Sequence, residues 1–288
     1  MTPTVLAFGE ALYDIYPTHK KIGGAPLNFA AHFARLGGKS FIYTAVGKDD
    51  NGRDILEEIS ALGVDTSLIS ILDGVPTGFC KVGYKGDEPS YELAEGVSYD
   101  YIPPLGEPPE VDLFYFGTLA LRSEKSRGSF LKLDREIVAR LRFLDLNLRG
   151  DFYTESLIRE LLCLADAVKL NREEYLFCAE MLGLPSEISS FCRALASVFR
   201  LKLVIVTLDK DGAVAYDAAR EEYIESPIIK APFVSAVGAG DSFSACFAYC
   251  YLNGMSLSEC MTRARRLSSF VVGREEAVPD YSPKAILG

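Results

Sequence analysis

Short apolar runs alternate along this chain with segments whose apolar positions recur every three or four residues. Val5 to Gly9, Phe41 to Val46, Leu113 to Phe116, Arg142 to Leu146, Ala167 to Leu170 and Leu203 to Leu208 read as strands. Between them, Ala25 to Leu36 sets Phe29, Phe33 and Leu36 on one helical face and stops at Gly37 and Gly38. Arg53 to Leu62 keeps Ile55, Ile59 and Leu62 in register, and Ser129 to Leu141, Thr154 to Ala165, Glu173 to Leu182 and Ser189 to Phe199 follow as helices. Short apolar strands alternating with helices predict an α/β fold, an open and mostly parallel sheet with helices on both faces. Two segments, Leu12 to Ile22 and Pro76 to Ala94, break the alternation. The second reads as a hairpin, Gly78 to Tyr84 and Ser90 to Leu93 around a turn at Lys85 to Pro89. The expectation is a small β lid built from 12–22 and 76–94 on a core of 1–11, 23–75 and 95–288, although an ordinary edge hairpin has the same spacing.

Composition narrows the class. A chain of 288 residues that is 49% hydrophobic can bury one large core. Forty acidic residues against 30 basic ones, a net charge of -10, disfavour a general nucleic-acid or anionic-membrane surface. No apolar run nears the ~20 residues that span a bilayer, and Met1 to Glu10 lacks a basic leader, so a cytoplasmic protein is expected. The seven cysteines stand in apolar contexts without a Cys-x-x-Cys pair and read as reduced core thiols. His19 and His32 are the only histidines, which excludes a histidine-based metal cluster.

One stretch carries candidate chemistry. Val237 to Phe243, Val-Gly-Ala-Gly-Asp-Ser-Phe, lies between the apolar approach Ala231 to Val234 and the apolar run Phe243 to Tyr251, and reads as strand, glycine turn and helix start. The first turn of a helix leaves unpaired N–H donors, so Gly238, Ala239 and Gly240 would form an anion hole beside the Asp241 carboxylate. A bare phosphate site gains nothing from that carboxylate. An enzyme that moves a phosphoryl group onto a hydroxyl needs it, because a base must take the proton. The competing reading is a plain loop with Asp241 as an N-cap.

Ligands of open α/β sheets sit beyond the carboxyl ends of the strands. Glu10, Asp14, Gly117, Asp145, Asn147, Arg149, Asn171, Glu174, Thr207 and Gly238 to Asp241 all fall at or just past those ends. Arg149 offers a fork for phosphate or carboxylate oxygens, and Lys169 adds a compact charge. Asn171 and Glu174 bracket a helix start, where a carboxylate could hold Mg²⁺ directly or through water; the same pair also reads as a capping box. Asp145 could simply anchor its loop.

These motifs together resemble the ribokinase-like (PfkB) carbohydrate kinases over nearly the whole chain. The resemblance rests on Gly9, Glu10, Ala11, Leu12 and Asp14; Gly23, Gly24, Ala25, Pro26 and Asn28; Asp145, Asn147 and Arg149; Asn171 and Glu174; Val206 to Leu208; and Gly238 to Asp241. Within that family the motifs are most similar to those of fructokinases. The resemblance implies a cytoplasmic kinase that transfers the γ-phosphate of ATP to a primary hydroxyl of a monosaccharide, D-fructose above others, with Mg²⁺. It implies that Asp14, Gly23, Gly24 and Asn28 hold sugar hydroxyls, with Phe79 and Tyr91 closing the pocket, and that Asp241 is the general base. The amides of Ala239, Gly240 and Asp241 would steady the transferring phosphoryl group. Asn171, Thr207, Gly212 and Ser268 would lie along the nucleotide, with the helix around Ser268 to Gly273 walling the adenine and Glu174 near Mg²⁺. Arg149 faces either sugar or phosphates.

Three departures from the family stand out. Ser235 and Ala236 replace an Asp-Thr pair whose Asp helps form a monovalent-cation site in relatives, so K⁺ dependence is expected to be weak or absent. Asp209 replaces a glycine near the expected nucleotide track, and Glu275, Glu276 and Ala277 replace a glycine-rich pattern, which leaves the phosphate donor open. The partners expected are a small sugar and a nucleotide, with no nucleic acid and no membrane. Tyr84, Tyr91, Tyr99 and Tyr101 suggest a homodimer through the lid. The alternatives are a 2-keto-3-deoxygluconate, ribose or nucleoside kinase, a non-catalytic sugar or nucleotide sensor, and a dinucleotide oxidoreductase. Glu10 argues against the last, since it stands where a glycine fingerprint belongs.

Overall fold

The alternation of side chains along the first strand, β1 (Thr4–Phe8), shows how the molecule is layered. Val5 and Ala7 face one apolar core while Leu6 and Phe8 face the other, and all four are fully buried. The computed structural model describes residues 2–85, 88–229 and 231–288. Its strands are β1, β2 (Leu12–Ile15), β3 (Lys20–Gly23), β4 (Lys39–Gly47), β5 (Ile69–Leu72), β6 (Gly78–Lys85), β7 (Glu88–Leu93), β8 (Val111–Phe116), β9 (Ala139–Asp145), β10 (Ala167–Asn171), β11 (Leu203–Thr207), β12 (Ala213–Asp217) and β13 (Glu222–Ser226). The helices are α1 (Ala25–Arg35), α2 (Asp50–Ala61), α3 (Glu124–Glu136), α4 (Glu155–Leu164), α5 (Arg172–Leu182), α6 (Ile188–Phe199), α7 (Ala239–Leu252), α8 (Leu257–Val272) and α9 (Pro283–Leu287).

Nine strands form the main sheet in the order β13-β12-β11-β10-β9-β8-β1-β4-β5, parallel except where β12 meets its two neighbours. Buried residues of α3 to α6 build one core against it, and those of α1, α2, α7 and α8 build the other. Beyond Ser244, helix α7 is apolar on all sides, as a helix between α1 and α8 must be. A second sheet, β3-β2-β6-β7, stands apart. Register pairs Asp14 with Cys80 and Tyr13 with Phe79. No helix among the described residues is long and apolar enough to cross a membrane.

The two excursions thus form one small sheet, with the predicted hairpin as β6 and β7; residues 86 and 87 of its turn, and the Tyr84 side chain, lie outside the described residues. Three expectations need correction, and three strands were not foreseen. The helix read at Ser129 to Leu141 is α3, one turn earlier: Ser126, Ser129, Phe130 and Leu133 form its buried face, and Ala139 to Leu141 already belong to β9. Ala231 to Val234 is no strand. Its apolar side chains are exposed, Phe233 at 75%, and Pro232 removes a ladder donor, leaving only Val234 N–H and Ser235 N–H to reach the Val272 carbonyl. The β12–β13 hairpin and β5 go unread in the sequence. Tyr99 and Tyr101 lie outside the small sheet, in a 3₁₀ turn at Ser98–Tyr101, with Tyr99 in the core.

Candidate active site

The first turn of α7 is shaped by its backbone. Gly238 precedes the helix at φ 77°, where a Cβ would stand 2.6 Å from the Ala277 carbonyl oxygen, so this position requires glycine. No side chain caps the turn. Ala239 N–H reaches the Ala236 carbonyl at 3.3 Å, and Ser242 N–H is the first to close onto the helix, at Gly238. The amides of Gly240 and Asp241 head an uncapped helix end, as an anion hole demands. Asp241 is the third residue of α7, not its N-cap, and its Oδ2 accepts a 2.8 Å hydrogen bond from Asn28 Nδ2.

Asn28 arrives on α1, which starts at Gly24 with φ 113° because the Glu10 carbonyl fills the space of a Cβ. Asp14 and Gly23 meet across the β2 and β3 strands: a Cβ on Gly23 would lie 3.0 Å from Asp14 Oδ2. Burial pushes the Asp14 carboxyl up to about 6, with Arg149 opposing. Arg149 is exposed on the loop after β9, and its guanidinium has no hydrogen-bond partner among the described residues. Its charge acts on Asp14, Cys80, Glu10 and Asp241, so it lies near groups of both the small sheet and α7. Tyr91, paired with Val82, is in phase with Cys80 and Asp14. Phe79 is one residue out of phase and takes the opposite face of the small sheet from Asp14.

The residues expected to line a nucleotide lie along the other half of the sheet edge. Register pairs Asn171 with Thr207 and Thr207 with Ala213, next to Gly212. Ser268 comes from α8, where Arg265 donates to Ser226 Oγ and Ser269 to the Ile229 carbonyl. Asp209, placed where a negative charge could disturb phosphates, forms with Asp211 an ion cluster around Arg172. Glu174 is buried, and its two carboxylate oxygens accept the Leu148 and Asn171 amides, each at 2.8 Å, while Asn171 Oδ1 accepts Glu174 N–H. The pair is a reciprocal capping box at the start of α5.

Three features escape sequence reading. Glu10 is buried under the first turn of α1, where Oε1 accepts Ala25 N–H at 3.2 Å, and burial pushes its carboxyl up to about 7, with the Asp241 charge adding to the rise. Lys169 is not a free phosphate ligand on the strand: its Nζ contacts both Asp145 oxygens, at 2.9 and 3.1 Å, and lies 3.2 Å from where a Cβ on Gly240 would stand. Ala277 is strapped against Gly238 by His32, whose Nε2 donates to its carbonyl at 2.9 Å. The one sequence signal for all three is an ionisable residue inside an apolar run, Glu10, Lys169 and His32. A surface cleft of about 420 Å³ beside the Arg149 loop, between Arg122 and Phe152, includes none of Asp14, Asn28 or Asp241.

An uncapped helix end thus carries a carboxylate that Asn28 holds and on which the charges of Glu10, Lys169 and Arg149 act. Residues 5–285 match the pfkB family carbohydrate kinase. The chain belongs to that family. It is 31% identical over 247 residues to a sugar kinase, PH1459, of Pyrococcus horikoshii, covering 81% of this chain and 74% of the relative. The structure of that kinase in complex with ATP superposes with a TM-score of 0.82 at 25% identity over 98% of this chain and 97% of that one. A fructokinase of Rhizobium leguminosarum bv. trifolii is 27% identical over 262 residues, 84% of this chain and 77% of the relative. Fructokinase from Vibrio cholerae O395, with fructose, ADP and calcium ion bound, shares the fold at a TM-score of 0.83 and 21% identity, covering 100% of this chain and 99% of that one. This carbohydrate kinase therefore has relatives that handle sugar and nucleotide on the same architecture.

Proposed function

We propose that this kinase transfers the γ-phosphate of ATP to the primary hydroxyl of D-fructose, giving fructose 6-phosphate, with Asp241 as general base. The observation that carries the reading is the Asn28 to Asp241 hydrogen bond at the open end of α7. It holds one carboxylate oxygen and leaves the other to accept the sugar hydroxyl proton as the new P–O bond forms. The carboxyl sits at about 6, so it is ionised at neutral pH yet basic enough to accept a proton in the transition state. The Gly240 and Asp241 amides face the charge that moves onto the phosphoryl oxygens. Asp14, Gly24 and Asn28 orient the acceptor, Arg149 overlooks it, and the small sheet acts as a lid that excludes water, with Tyr91 on the face it shares with Asp14. Asn171, Thr207, Gly212 and Ser268 track the nucleotide.

Mg²⁺ bound to the phosphates would neutralise charge during transfer. With both Glu174 oxygens engaged by amides, that carboxylate suits a hydrated ion held through water, beside Asn171, and not direct ligation. Ser235 Oγ accepts Val237 N–H within its own turn, which supports a rate independent of K⁺; strong activation by KCl at constant ionic strength would overturn that expectation.

Phosphate transfer over a panel of sugars with ATP and Mg²⁺, read as ADP formed, tests the assignment. Turnover of another acceptor with none of fructose rejects it. The Arg149 fork, without a hydrogen-bond partner among the described residues and close enough to act on Asp14, favours one second reading, a 2-keto-3-deoxygluconate kinase, because a carboxylate would satisfy that fork in a bidentate pair. The same panel separates the two.

A further inference from the structure

We infer that Asp145 is a positioning residue for the phosphoryl-transfer end of the site: through Ser244 and Lys169 it clamps the first turns of α7 and fixes the charge that Asp241 faces. The inference rests on the reading of Asp241 as base. Asp145 ends β9 and is fully buried. Its carboxylate receives Lys169 from β10 on both oxygens and the Ser244 hydroxyl on Oδ2 at 2.7 Å. Ser244 lies three residues beyond Asp241, so one carboxylate joins two strands to the helix that carries the base. Lys169 meanwhile abuts Gly240, and any displacement of Asp145 is passed to the anion hole. Neutralising Lys169 alone would not need Ser244, and anchoring α7 alone would not need a buried charge.

The groups acting on Asp241 come from every element around it. They are Glu10 after β1, Asn28 on α1, Tyr115 on β8, Asp145 on β9, Arg149 on the following loop and Lys169 on β10. Burial is the main cause that raises the Asp241 carboxyl, and Asp145 is next; Asn28, Lys169 and Arg149 oppose them. Asp145 also raises the buried Glu174 carboxyl, but it is not among the main influences on Glu10 or Asp14, two other raised carboxyls nearby. A charge change at 145 is therefore felt more at 241 and 174 than at 10 or 14.

Carboxyl ¹³C NMR of the free protein, with the Asp241 resonance assigned by its loss in Asp241→Asn, reads this without any substrate. Asp145→Asn, which keeps the shape, is expected to lower the Asp241 titration midpoint by about one unit. Adding Lys169→Met in that background, where Asp145 no longer carries a charge to be left unpaired and Glu174 keeps its two amide donors, raises it again. Ser244→Ala keeps both charges and the buried ion pair, so it leaves the midpoint in place and lowers turnover. Midpoints unmoved in both charge variants, or moved in the same direction, overturn the inference, as does unchanged turnover in Ser244→Ala. Parental turnover in Asp241→Asn would instead remove the base and leave the midpoint shifts standing.

Discussion

Helices α1 and α7 both begin at a glycine with positive φ, Gly24 at 113° and Gly238 at 77°, and neither glycine has a side chain to cap the helix. At α1, Pro26 removes one N–H and the buried Glu10 carboxylate accepts another, from Ala25. The positive end of α1 is already occupied by the protein. At α7 the carboxylate of the first turn looks outward to Asn28, and no side chain caps the amides. Helices α2, α5 and α8 are closed more simply, by Asp49, by Asn171 with Glu174, and by Ser256 with Glu259. An uncapped helix end costs stability unless something else meets its donors. At α7 that end lies beside Asp241, where the proposed reaction places a phosphate.

The comparison breaks most visibly at Asp241. Asp241→Asn keeps the shape at the open end and removes the base, so kcat should fall by roughly 10² to 10⁴ while sugar affinity, measured by calorimetry, survives. A loss of sugar binding with an unchanged rate would assign Asp241 to the acceptor pocket alone. Gly238→Ala should act on both fold and rate. A Cβ there meets the Ala277 backbone and the positive φ penalises any side chain, so a destabilisation of about 2 kcal/mol or more is expected in thermal melts. Gly24→Ala, against the Glu10 carbonyl, should cost similar stability, and the two variants differ in what remains: surviving Gly24→Ala protein keeps its anion hole, surviving Gly238→Ala protein does not.

The layered sheet was legible in the chain because its strands are buried on both faces and its helices carry one apolar stripe, as in the run Leu203 to Thr207 and in the Ile55 and Ile59 face of α2. The residues brought to the sheet edge were legible for a topological reason, since parallel strands all deliver their carboxyl ends to one side. What failed were judgements about neighbours. Ala231 to Val234 has a strand's composition and no strand beside it to pair with. Tyr99 has a lid residue's chemistry and a core residue's position. Lys169 reads as a free cation until Asp145, 24 residues earlier, is seen to hold it. Burial and partnership are tertiary facts, and periodicity carries no record of them.

Glu10 sharpens the closed side of the comparison through pH. Its carboxyl is raised to about 7 in the fold, above the value of an unfolded chain, so the folded state binds the extra proton. The stability this gives is complete below about pH 4.5 and is lost as pH rises through 7, where the buried group must ionise. Glu10→Gln holds the neutral shape and can still accept Ala25 N–H. It should therefore raise the melting temperature at pH 8, by up to about 3 kcal/mol in stability terms, and change it little at pH 5. Equal effects at the two pH values would mean that Glu10 is already neutralised by a partner in both states.

The smallest effect is expected at α5, whose closed end is proposed to face the nucleotide. Asn171→Ala deletes one cap bond, to Glu174 N–H, while Glu174 keeps the Leu148 and Asn171 amides. A loss of about 1 kcal/mol, or a few degrees in melting temperature, follows from the cap alone. The cap uses Asn171 Oδ1 and leaves its amide nitrogen for the nucleotide, so the KM for ATP should rise while the KM for fructose stays put. A change confined to the melting temperature would place Asn171 with Asp49 and Ser256, as a cap and nothing more. A fall in kcat as deep as that of Asp241→Asn would mean that α5, like α7, presents an open end to the phosphates, and the contrast between closed and open helix ends would no longer locate the chemistry.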